Sequence, residues 1–282
     1  MMELKKRFEQ ICKDIKSLKI QGSENVARAS LNALLIKNDK ISFKRLINLR
    51  PTEPALRNVL KHALSFSDIQ VGVKKTLFLM DDARTKVVSN GSQLIKDGMT
   101  VFTHCHSSTV LDILKTAKSQ GKKFQVFNTE TRPNFQGRIT AAELAKSKIP
   151  VKMFIDSAAT SAIRESDLFL FGVDVITAEG NVVNKIGNKM FAEVAEKYDV
   201  PSYACSIAFK FDPETLNGKT PVLEERNPDE VWKERPKGVK ISNIVFEIIE
   251  AKLITGIVSE LGILPPEALA TEVKKRYPWL MR

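Results

Sequence analysis

Residues 122–146 read KKFQVFNTETRPNFQGRITAAELAK and place three kinds of segment in the order that an α/β fold uses. The apolar run 124–127 predicts a buried strand of a parallel sheet, and residues 139–146 predict a helix. Between them, a loop broken by Pro133 and Gly137 carries two arginines, a glutamate and a glutamine. Open α/β sheets bind their ligands at the carboxyl ends of parallel strands, so this stretch predicts one wall of a binding site.

The same alternation of short apolar runs and amphipathic segments continues on both sides of this stretch. Helices are predicted between strands at residues 100–103, 124–127, 151–155, 168–171, 202–206 and 254–259. Alternation of this kind indicates βαβ crossovers and a mainly parallel sheet covered on both faces. We therefore predict the α/β class, with a sheet domain over residues 98–282.

Residues 1–97 have the apolar spacing of helices instead. Phe8, Cys12 and Ile15 recur at intervals of three and four residues, and similar spacing continues to about residue 96. This part of the chain is predicted to be a helical N-terminal domain. A long helix near residues 74–96 is expected to connect it to the sheet.

Composition excludes several classes of protein. The chain has 282 residues and 43% apolar content, enough for a sizeable core in one large or two modest domains. Its three cysteines are widely separated, which argues against a disulfide framework and for a reducing, cytoplasmic compartment. The amino terminus is lysine-rich, and no apolar run approaches the ~18 residues that span a bilayer, so no membrane role is expected.

The formal net charge of +11 has two interpretations. Excess lysine attracts anions, so phosphorylated metabolites, nucleic acid and acidic proteins are candidate partners. Solvated lysine-rich helix faces explain the same charge without any partner. The chain has no run of five or more basic residues interleaved with aromatics, which argues against a nucleic-acid platform.

The first predicted strand-to-helix turn, residues 100–111, holds a candidate reactive group. A cysteine beside a helix amino terminus and cationic neighbours can have a lowered pKa, which makes Cys105 a candidate base or nucleophile. A small buried apolar side chain is the competing interpretation. Ser107, Ser108 and Thr109 can cap the next helix, whose free amides suit a phosphate. The two flanking histidines do not indicate zinc, because neighbours on a strand face opposite ways and no second ligand pair occurs.

Further polar groups follow the later strands. Asp174 comes directly after a strongly apolar strand, and partial desolvation would raise its pKa and suit a general acid. An aspartate that caps the next turn is the alternative. Asn184, Lys185 and Gly187 are expected at a helix start, where the lysine could hold a phosphate. Lys210 follows another strand in the same way.

Several of these motifs together resemble one protein family. It joins the regulatory subunits of translation initiation factor 2B, methylthioribose-1-phosphate isomerase and the archaeal ribose-1,5-bisphosphate isomerases. The resemblance runs from about residue 19 to residue 279 and implies a helical N-terminal domain followed by a Rossmann-like domain. The motifs that carry it are Thr103-His104-Cys105-His106-Ser107, Thr129-Glu130-Thr131-Arg132-Pro133 with Gln136-Gly137, Gly172-Val173-Asp174, Val183-Asn184-Lys185-Ile186-Gly187 and Phe209-Lys210-Phe211.

The resemblance also implies a set of site residues. The isomerases of the family carry a catalytic cysteine and aspartate, which match Cys105 and Asp174, whereas the translation-factor subunits generally lack the pair. The sequence around Cys105, Lys185 and Lys210 most resembles that of the ribose-1,5-bisphosphate isomerases. The positions implied to bind the substrate are Gln21, Gly22, Ser23, Arg50, Ser107, Ser108, Thr109, Arg132, Gln136, Asn184, Lys185 and Lys210. Arg132 and Gln136 are expected to shape the pocket or a subunit contact.

For that group the implied reaction converts ribose 1,5-bisphosphate to ribulose 1,5-bisphosphate. Phosphate on the anomeric oxygen prevents ordinary ring opening, so the ring oxygen needs an acid. Asp174 is expected to protonate that oxygen while the Cys105 thiolate removes the proton at C2. The reaction implies no metal or redox cofactor. The resemblance further implies a homo-oligomer, either a dimer or a hexamer, and a place in nucleotide degradation with AMP as a possible effector.

One departure from the family leaves a second function open. The N-terminal loop usually reads Arg-Gly-Ala-Gly, whereas here Gln21-Gly22-Ser23-Glu24 loses a cation and adds a carboxylate near an expected phosphate. The alternative is a non-catalytic subunit like those of initiation factor 2B, which binds initiation factor 2 or a nucleotide or sugar phosphate. Nucleic-acid binding ranks third.

Overall fold

The computed structural model describes residues 2–50 and 52–281, and its N-terminal part is helical as predicted. Local signals account for several helix starts. Asp39 and Asp68 each accept a hydrogen bond from a backbone amide of the first turn that follows, and Pro54 occupies a first turn. The helices are α1 (Met2–Lys16), α2 (Ser23–Ile36), α3 (Lys40–Ile47), α4 (Pro54–Leu64) and α5 (Ile69–Ser92).

The remaining elements are strands and helices, which alternate from β1 to β4. They are β1 (Thr100–Thr103), α6 (Ser108–Ser119), β2 (Gln125–Thr129), α7 (Gln136–Lys146), β3 (Val151–Phe154), α8 (Ala159–Arg164), β4 (Leu168–Gly172), β5 (Val175–Ile176), β6 (Val182–Lys185), α9 (Asn188–Lys197), β7 (Ser202–Cys205), β8 (Phe246–Ile249), β9 (Gly256–Ser259), β10 (Gly262–Leu264) and α10 (Leu269–Arg276). Each predicted strand is present, with ends that differ by no more than two residues. The predicted α/β class is therefore confirmed.

The main sheet has seven strands in the order β10-β9-β7-β4-β1-β2-β3, and all neighbours are parallel except β10 and β9. If the six parallel strands β1, β2, β3, β4, β7 and β9 are renumbered 1 to 6, their order in the sheet is 3-2-1-4-5-6, that of a doubly wound fold. The strands β1, β4 and β9 are buried along their whole length, as expected for a sheet with helices on both faces. The strand order reverses between β1 and β4, so a crevice opens at their carboxyl ends.

A second, antiparallel sheet of β5, β6 and β8 corrects one prediction. Asn184 and Lys185 were expected at the start of a helix, but they lie at the end of β6, and α9 begins at Asn188. The register pairs Asn184 with Glu247 and Lys185 with Phe246. Because the partner strand lies some 60 residues later in the chain, local pattern could not reveal it.

Polar contacts dock the helical part onto the sheet. Asn58 of α4 donates hydrogen bonds to the carbonyl oxygens of Phe209 and Phe211, and Arg57 pairs with Asp212 at 2.6 Å. These contacts hold the start of α4 over the crevice. Within residues 2–50 and 52–281, no helix has both the length and the apolar content that crossing a membrane would require.

Candidate active site

A cavity of about 730 Å³ lies between the helical part and the carboxyl ends of the central strands. It brings together residues that are up to 228 positions apart, from Leu18 to Phe246. Of the predicted site residues, those that line it are Gln21, Gly22, Ser23, Arg50, Cys105, Ser107, Ser108, Thr109, Gln136, Asp174, Asn184, Lys185 and Lys210.

Cys105 lies two residues beyond β1 in an unusual backbone conformation. Its φ of 66° is in the left-handed region, which costs a non-glycine residue about 1–3 kcal/mol. Two threonines hold it there: the Cys105 amide donates to Thr131 Oγ1 at 3.0 Å, and Thr140 Oγ1 donates to the Cys105 carbonyl at 2.7 Å. The thiol is 3.6 Å from Gln136 Oε1. The threonines therefore fix the backbone of Cys105, and Gln136 gives its thiol a polar neighbour.

The pKa of Cys105 moves in the opposite direction to the prediction. Burial raises the pKa of the thiol to about 11, because the thiolate loses its hydration. The Lys185 ammonium opposes this effect and lowers the pKa, while the Asp174 carboxylate adds to the increase. In the free protein Cys105 is therefore a thiol, and thiolate formation depends on the charges that share its cavity.

The loop that follows β2 supports Cys105. Asp156 accepts hydrogen bonds from the amides of Thr131 and Arg132 at 2.8 and 2.7 Å, which fixes the loop. Thr131 Oγ1 in turn accepts the hydrogen bond from the Cys105 amide. The Arg132 side chain is exposed and donates to the carbonyl of Val231 at 3.3 Å. Arg132 does not line the cavity, so its expected contact with the substrate is not supported by its position.

The two histidines beside Cys105 are bonded to protein groups. The His104 Nε2 donates to the carbonyl of Ile186 at 3.1 Å, and its Nδ1 lies 2.5 Å from Thr129 Oγ1. Burial lowers the pKa of His104 to about 4, so its ring is neutral at pH 7. His106 Nδ1 lies 3.1 Å from Thr140 Oγ1. The described part of the chain contains no group of three His, Cys, Asp or Glu residues suited to a metal ion.

Asp174 lies two residues beyond β4, which is the neighbour of β1. Its Oδ2 accepts a hydrogen bond from Asn184 Nδ2 at 3.0 Å, and Asn184 Oδ1 in turn accepts one from the buried Asn188 at 2.6 Å. The Asp174 amide also donates to the carbonyl of Val183 at 2.8 Å. A chain of two amides therefore orients the carboxylate and leaves its other oxygen for a ligand.

Positively charged side chains surround Cys105 and Asp174. Lys185 is buried, and burial lowers its pKa; its ammonium lies 5.4 Å from the centre of the Phe246 ring. Lys210 donates to the carbonyl of Val173 at 2.5 Å. Arg226 also lines the cavity, and its guanidinium makes no hydrogen bond or ion pair with residues 2–50 and 52–281. These positive charges favour an anionic ligand.

Two helices direct their amino termini at the cavity. Ser107 caps α6 by accepting a hydrogen bond from Val110, as predicted, and α2 begins after Gly22 with no side-chain cap. Unpaired amides and the helix dipole make such ends suitable for phosphates. Glu24, expected to weaken this site, instead pairs with Arg28 at 2.9 Å and Arg84 at 2.6 Å, so its charge is compensated.

Gly172, the last residue of β4, allows this crowded geometry. A Cβ at this position would lie 2.7 Å from Ser107 Oγ and 2.8 Å from Ser107 Cβ. We expect Gly172→Ala to displace the Ser107 cap, to lower the free energy of unfolding by about 1–3 kcal/mol and to reduce ligand affinity. Thermal unfolding measures the first effect. In a Ser107→Gly background the same change should cost much less, and an equal cost in both backgrounds would contradict the assigned contact.

Sequence reasoning missed three charged residues that line the cavity, Lys19, Glu53 and Arg226, of which the last two matter most here. Glu53 follows Arg50 by three residues at the start of α4, a spacing that suggests an ion pair but gives no sign of burial. Arg226 lies in the irregular segment between β7 and β8, where no periodic pattern marks a site. Only the folded arrangement identifies both.

Known proteins match the chain along nearly its whole length. A family model described as the Initiation factor 2 subunit family matches residues 19–266. Ribose 1,5-bisphosphate isomerase of Methanocaldococcus jannaschii is 36% identical over 94% of each chain. The protein of the same name from Pyrococcus furiosus is 32% identical, over 100% of this chain and 97% of that one. Among solved structures, translation initiation factor eIF-2B of Pyrococcus horikoshii OT3 is 29% identical with a TM-score of 0.83, covering 92% of this chain and 97% of that one.

Proposed function

The chain belongs to the initiation factor 2 subunit family, and we propose that within it the protein is an aldose–ketose isomerase that converts ribose 1,5-bisphosphate to ribulose 1,5-bisphosphate. Relatives of that name at 36% and 32% identity support the substrate class. The observation that carries the proposal is the position of Cys105 and Asp174. They follow adjacent parallel strands at the point where the strand order reverses, and both line one cavity.

In the first half of the proposed reaction the sugar ring opens. The Cys105 thiolate removes the proton from C2, and the electron pair forms a C1–C2 double bond as the bond between C1 and the ring oxygen breaks. Asp174 donates its proton to that oxygen, which becomes the 4-hydroxyl. The product of this half is an enol phosphate, with the anomeric phosphate still attached to C1.

The second half returns both groups to their starting state. The Cys105 thiol gives its proton to C1, while the Asp174 carboxylate takes the proton of the 2-hydroxyl as C2 becomes a ketone. Each residue gives and receives one proton, so the reaction balances without an oxidant. The reaction starts from a Cys105 thiolate and a protonated Asp174. In the free protein, by contrast, burial favours the Cys105 thiol. The Lys185 ammonium, which lowers the pKa of Cys105, favours the working form.

The two phosphates of the substrate need separate anchors. The uncapped start of α2 and the Ser107–Thr109 start of α6 offer amide donors, and Lys185, Lys210 and Arg226 offer positive charge. These cations enclose one cavity and repel one another. The negative charges of a bound bisphosphate would neutralise that repulsion. This argument favours a substrate with more than one phosphate.

A second candidate function is a non-catalytic subunit that binds initiation factor 2. The similarity to Pyrococcus horikoshii eIF-2B, at a TM-score of 0.83, favours it. Both functions are compatible with a homo-oligomer, either dimeric or hexameric, and with AMP as an effector, which we keep as proposals. Exposed apolar side chains such as Val222, at 68% exposure, and Ile155, at 59%, are candidates for subunit contacts.

A direct assay separates the two functions. We expect the purified protein to convert ribose 1,5-bisphosphate with a kcat on the order of 1–10³ s⁻¹, followed by ³¹P NMR of substrate and product. Ribose 5-phosphate and methylthioribose 1-phosphate serve as matched substrates that lack one phosphate, and parallel reactions contain AMP. No turnover of any of the three, together with specific binding of purified initiation factor 2, would replace the isomerase with the regulatory subunit.

A further inference from the structure

Glu53 occupies the N-cap position of α4 without capping it. Its side chain makes no hydrogen bond to the first amides of the helix, although this is the usual role of a polar residue there. The carboxylate instead pairs with Arg50 Nη2 at 2.9 Å and lines the cavity. Local helix stability therefore does not explain the position of this side chain.

One oxygen of this carboxylate has no partner. Glu53 is 6% exposed, and its Oε1 forms the ion pair with Arg50, but Oε2 is buried and makes no hydrogen bond within residues 2–50 and 52–281. Burial raises the pKa of Glu53 to about 7, the positive charges of Arg50 and Lys210 oppose this increase, and the negative charges of Asp174 and Glu224 add to it. Buried polar oxygens are nearly always bonded, so an orphaned one beside a ligand cavity indicates a bond that forms with the ligand.

The chemistry of Oε2 limits what that ligand group can be. Above pH 7, where most of a carboxyl group with a pKa of about 7 is ionised, Oε2 accepts hydrogen bonds and repels phosphate. In this form the matching ligand group is a donor without negative charge. A sugar phosphate offers only hydroxyls of this kind. In the ring form of ribose 1,5-bisphosphate, the free hydroxyls are those at C2 and C3, because the oxygens on C1 and C5 carry phosphate and that on C4 closes the ring.

The surroundings of Glu53 distinguish these two hydroxyls. In the proposed reaction Cys105 acts at C2, and Asp174 acts at the ring oxygen on C4, which is the neighbour of C3. Asn58, one turn into α4, donates to the carbonyl oxygen of Phe209. The next residue, Lys210, donates to the carbonyl oxygen of Val173, the residue before Asp174. Glu53 thus lies on the Asp174 side of the cavity, where the 3-hydroxyl would be.

We infer that Glu53 accepts a hydrogen bond from the 3-hydroxyl of the bound sugar phosphate, which makes it a specificity-determining residue for substrates with a hydroxyl at this carbon. The inference rests on the proposed function. Because the 3-hydroxyl keeps its bonds throughout the reaction, the contact is equally strong in the substrate and the transition state. Its loss should therefore appear mainly as a higher KM.

The test compares ribose 1,5-bisphosphate with 3-deoxyribose 1,5-bisphosphate in the wild type, Glu53→Gln and Glu53→Ala. We expect the wild type to prefer the hydroxylated substrate by about 100-fold in kcat/KM. Glu53→Gln, which keeps a neutral hydrogen-bonding group, should retain roughly 10-fold preference, and Glu53→Ala should turn over both substrates within about 3-fold. A merely structural effect would lower both rates and leave the ratio unchanged.

The outcomes separate this inference from the proposed function. Absence of wild-type turnover of ribose 1,5-bisphosphate overturns both. An active wild type that uses the 3-deoxy substrate equally well overturns the role of Glu53 alone, even if neither variant folds. Equal preference in the wild type and Glu53→Ala does the same, and circular dichroism and thermal unfolding establish that the compared variants are folded.

Discussion

Cys105→Ser is expected to lower kcat for ribose 1,5-bisphosphate by about 10³-fold or more. In the proposed reaction the sulfur takes the proton from C2 and returns it to C1, and a serine hydroxyl is a far weaker acid that forms almost no alkoxide near neutral pH. General base catalysis contributes about 10²–10⁴-fold, and this variant would lose nearly all of it. The substitution changes little volume, so substrate binding and the unfolding temperature should change little.

Steady-state kinetics, isothermal titration with substrate and thermal unfolding measure these three effects. Cys12→Ser is the matched control, because Cys12 is also buried but lies in α1, away from the cavity. In the wild type, kcat/KM should fall as the pH rises through about 11, the pKa of the Cys105 thiol. Above this pH Cys105 loses its proton, and the Cys105–Asp174 pair no longer holds the single proton that the reaction needs. Full activity of Cys105→Ser would remove Cys105 from the reaction.

Asp174→Asn is expected to lower kcat by about 10²–10⁴-fold with a smaller effect on KM. An amide has no proton that it can release to the ring oxygen, so the bond between that oxygen and C1 would break without acid assistance. The introduced carbonyl can still accept the hydrogen bond from Asn184, so the local geometry should persist. The loss should therefore come from proton transfer rather than from misfolding.

Asp167→Asn is the control for this change. Asp167 precedes β4 at the opposite end from Asp174, and its Oδ2 accepts a hydrogen bond from the Thr100 amide at 2.8 Å. It carries the same change of charge on the same strand without approaching the cavity. If both variants lost activity equally, charge or stability would explain the effect, and Asp174 would not be the acid.

The parallel sheet could be predicted because its signals are local. Runs such as Leu168–Gly172 are apolar throughout, as strands covered on both faces must be, and helices separate β1, β2, β3, β4 and β7 along the chain. The start of α6 at Ser107 was likewise encoded in the residues at that turn. The sheet that contains Asn184 and Lys185 was missed, since its pairing with Phe246–Ile249 depends on contacts between distant segments.

Prediction of the site succeeded and failed for related reasons. Strand ends indicated Cys105 and Asp174, because residues that follow adjacent parallel strands meet at one edge. The direction of the Cys105 pKa could not be predicted, since it depends on how completely the folded chain excludes water from the sulfur. Nothing in the local sequence indicates that Glu53 and Arg226 are part of a site, and they reach the cavity only through the packing of α4 and of the irregular segment before β8.

The cavity joins two parts of the chain that can change independently over evolution. Cys105 and Asp174 are held by contacts within the sheet part, through Thr131 and Asn184, whereas Gln21 and Glu53 belong to the helical part. Mutations in the first turns of α2 and α4 can therefore alter which molecule fits without disturbing the proton-transfer pair. Loss of the pair would leave a binding pocket on an intact scaffold. Such a division allows new sugar substrates, and even purely regulatory descendants, to arise from one ancestral fold.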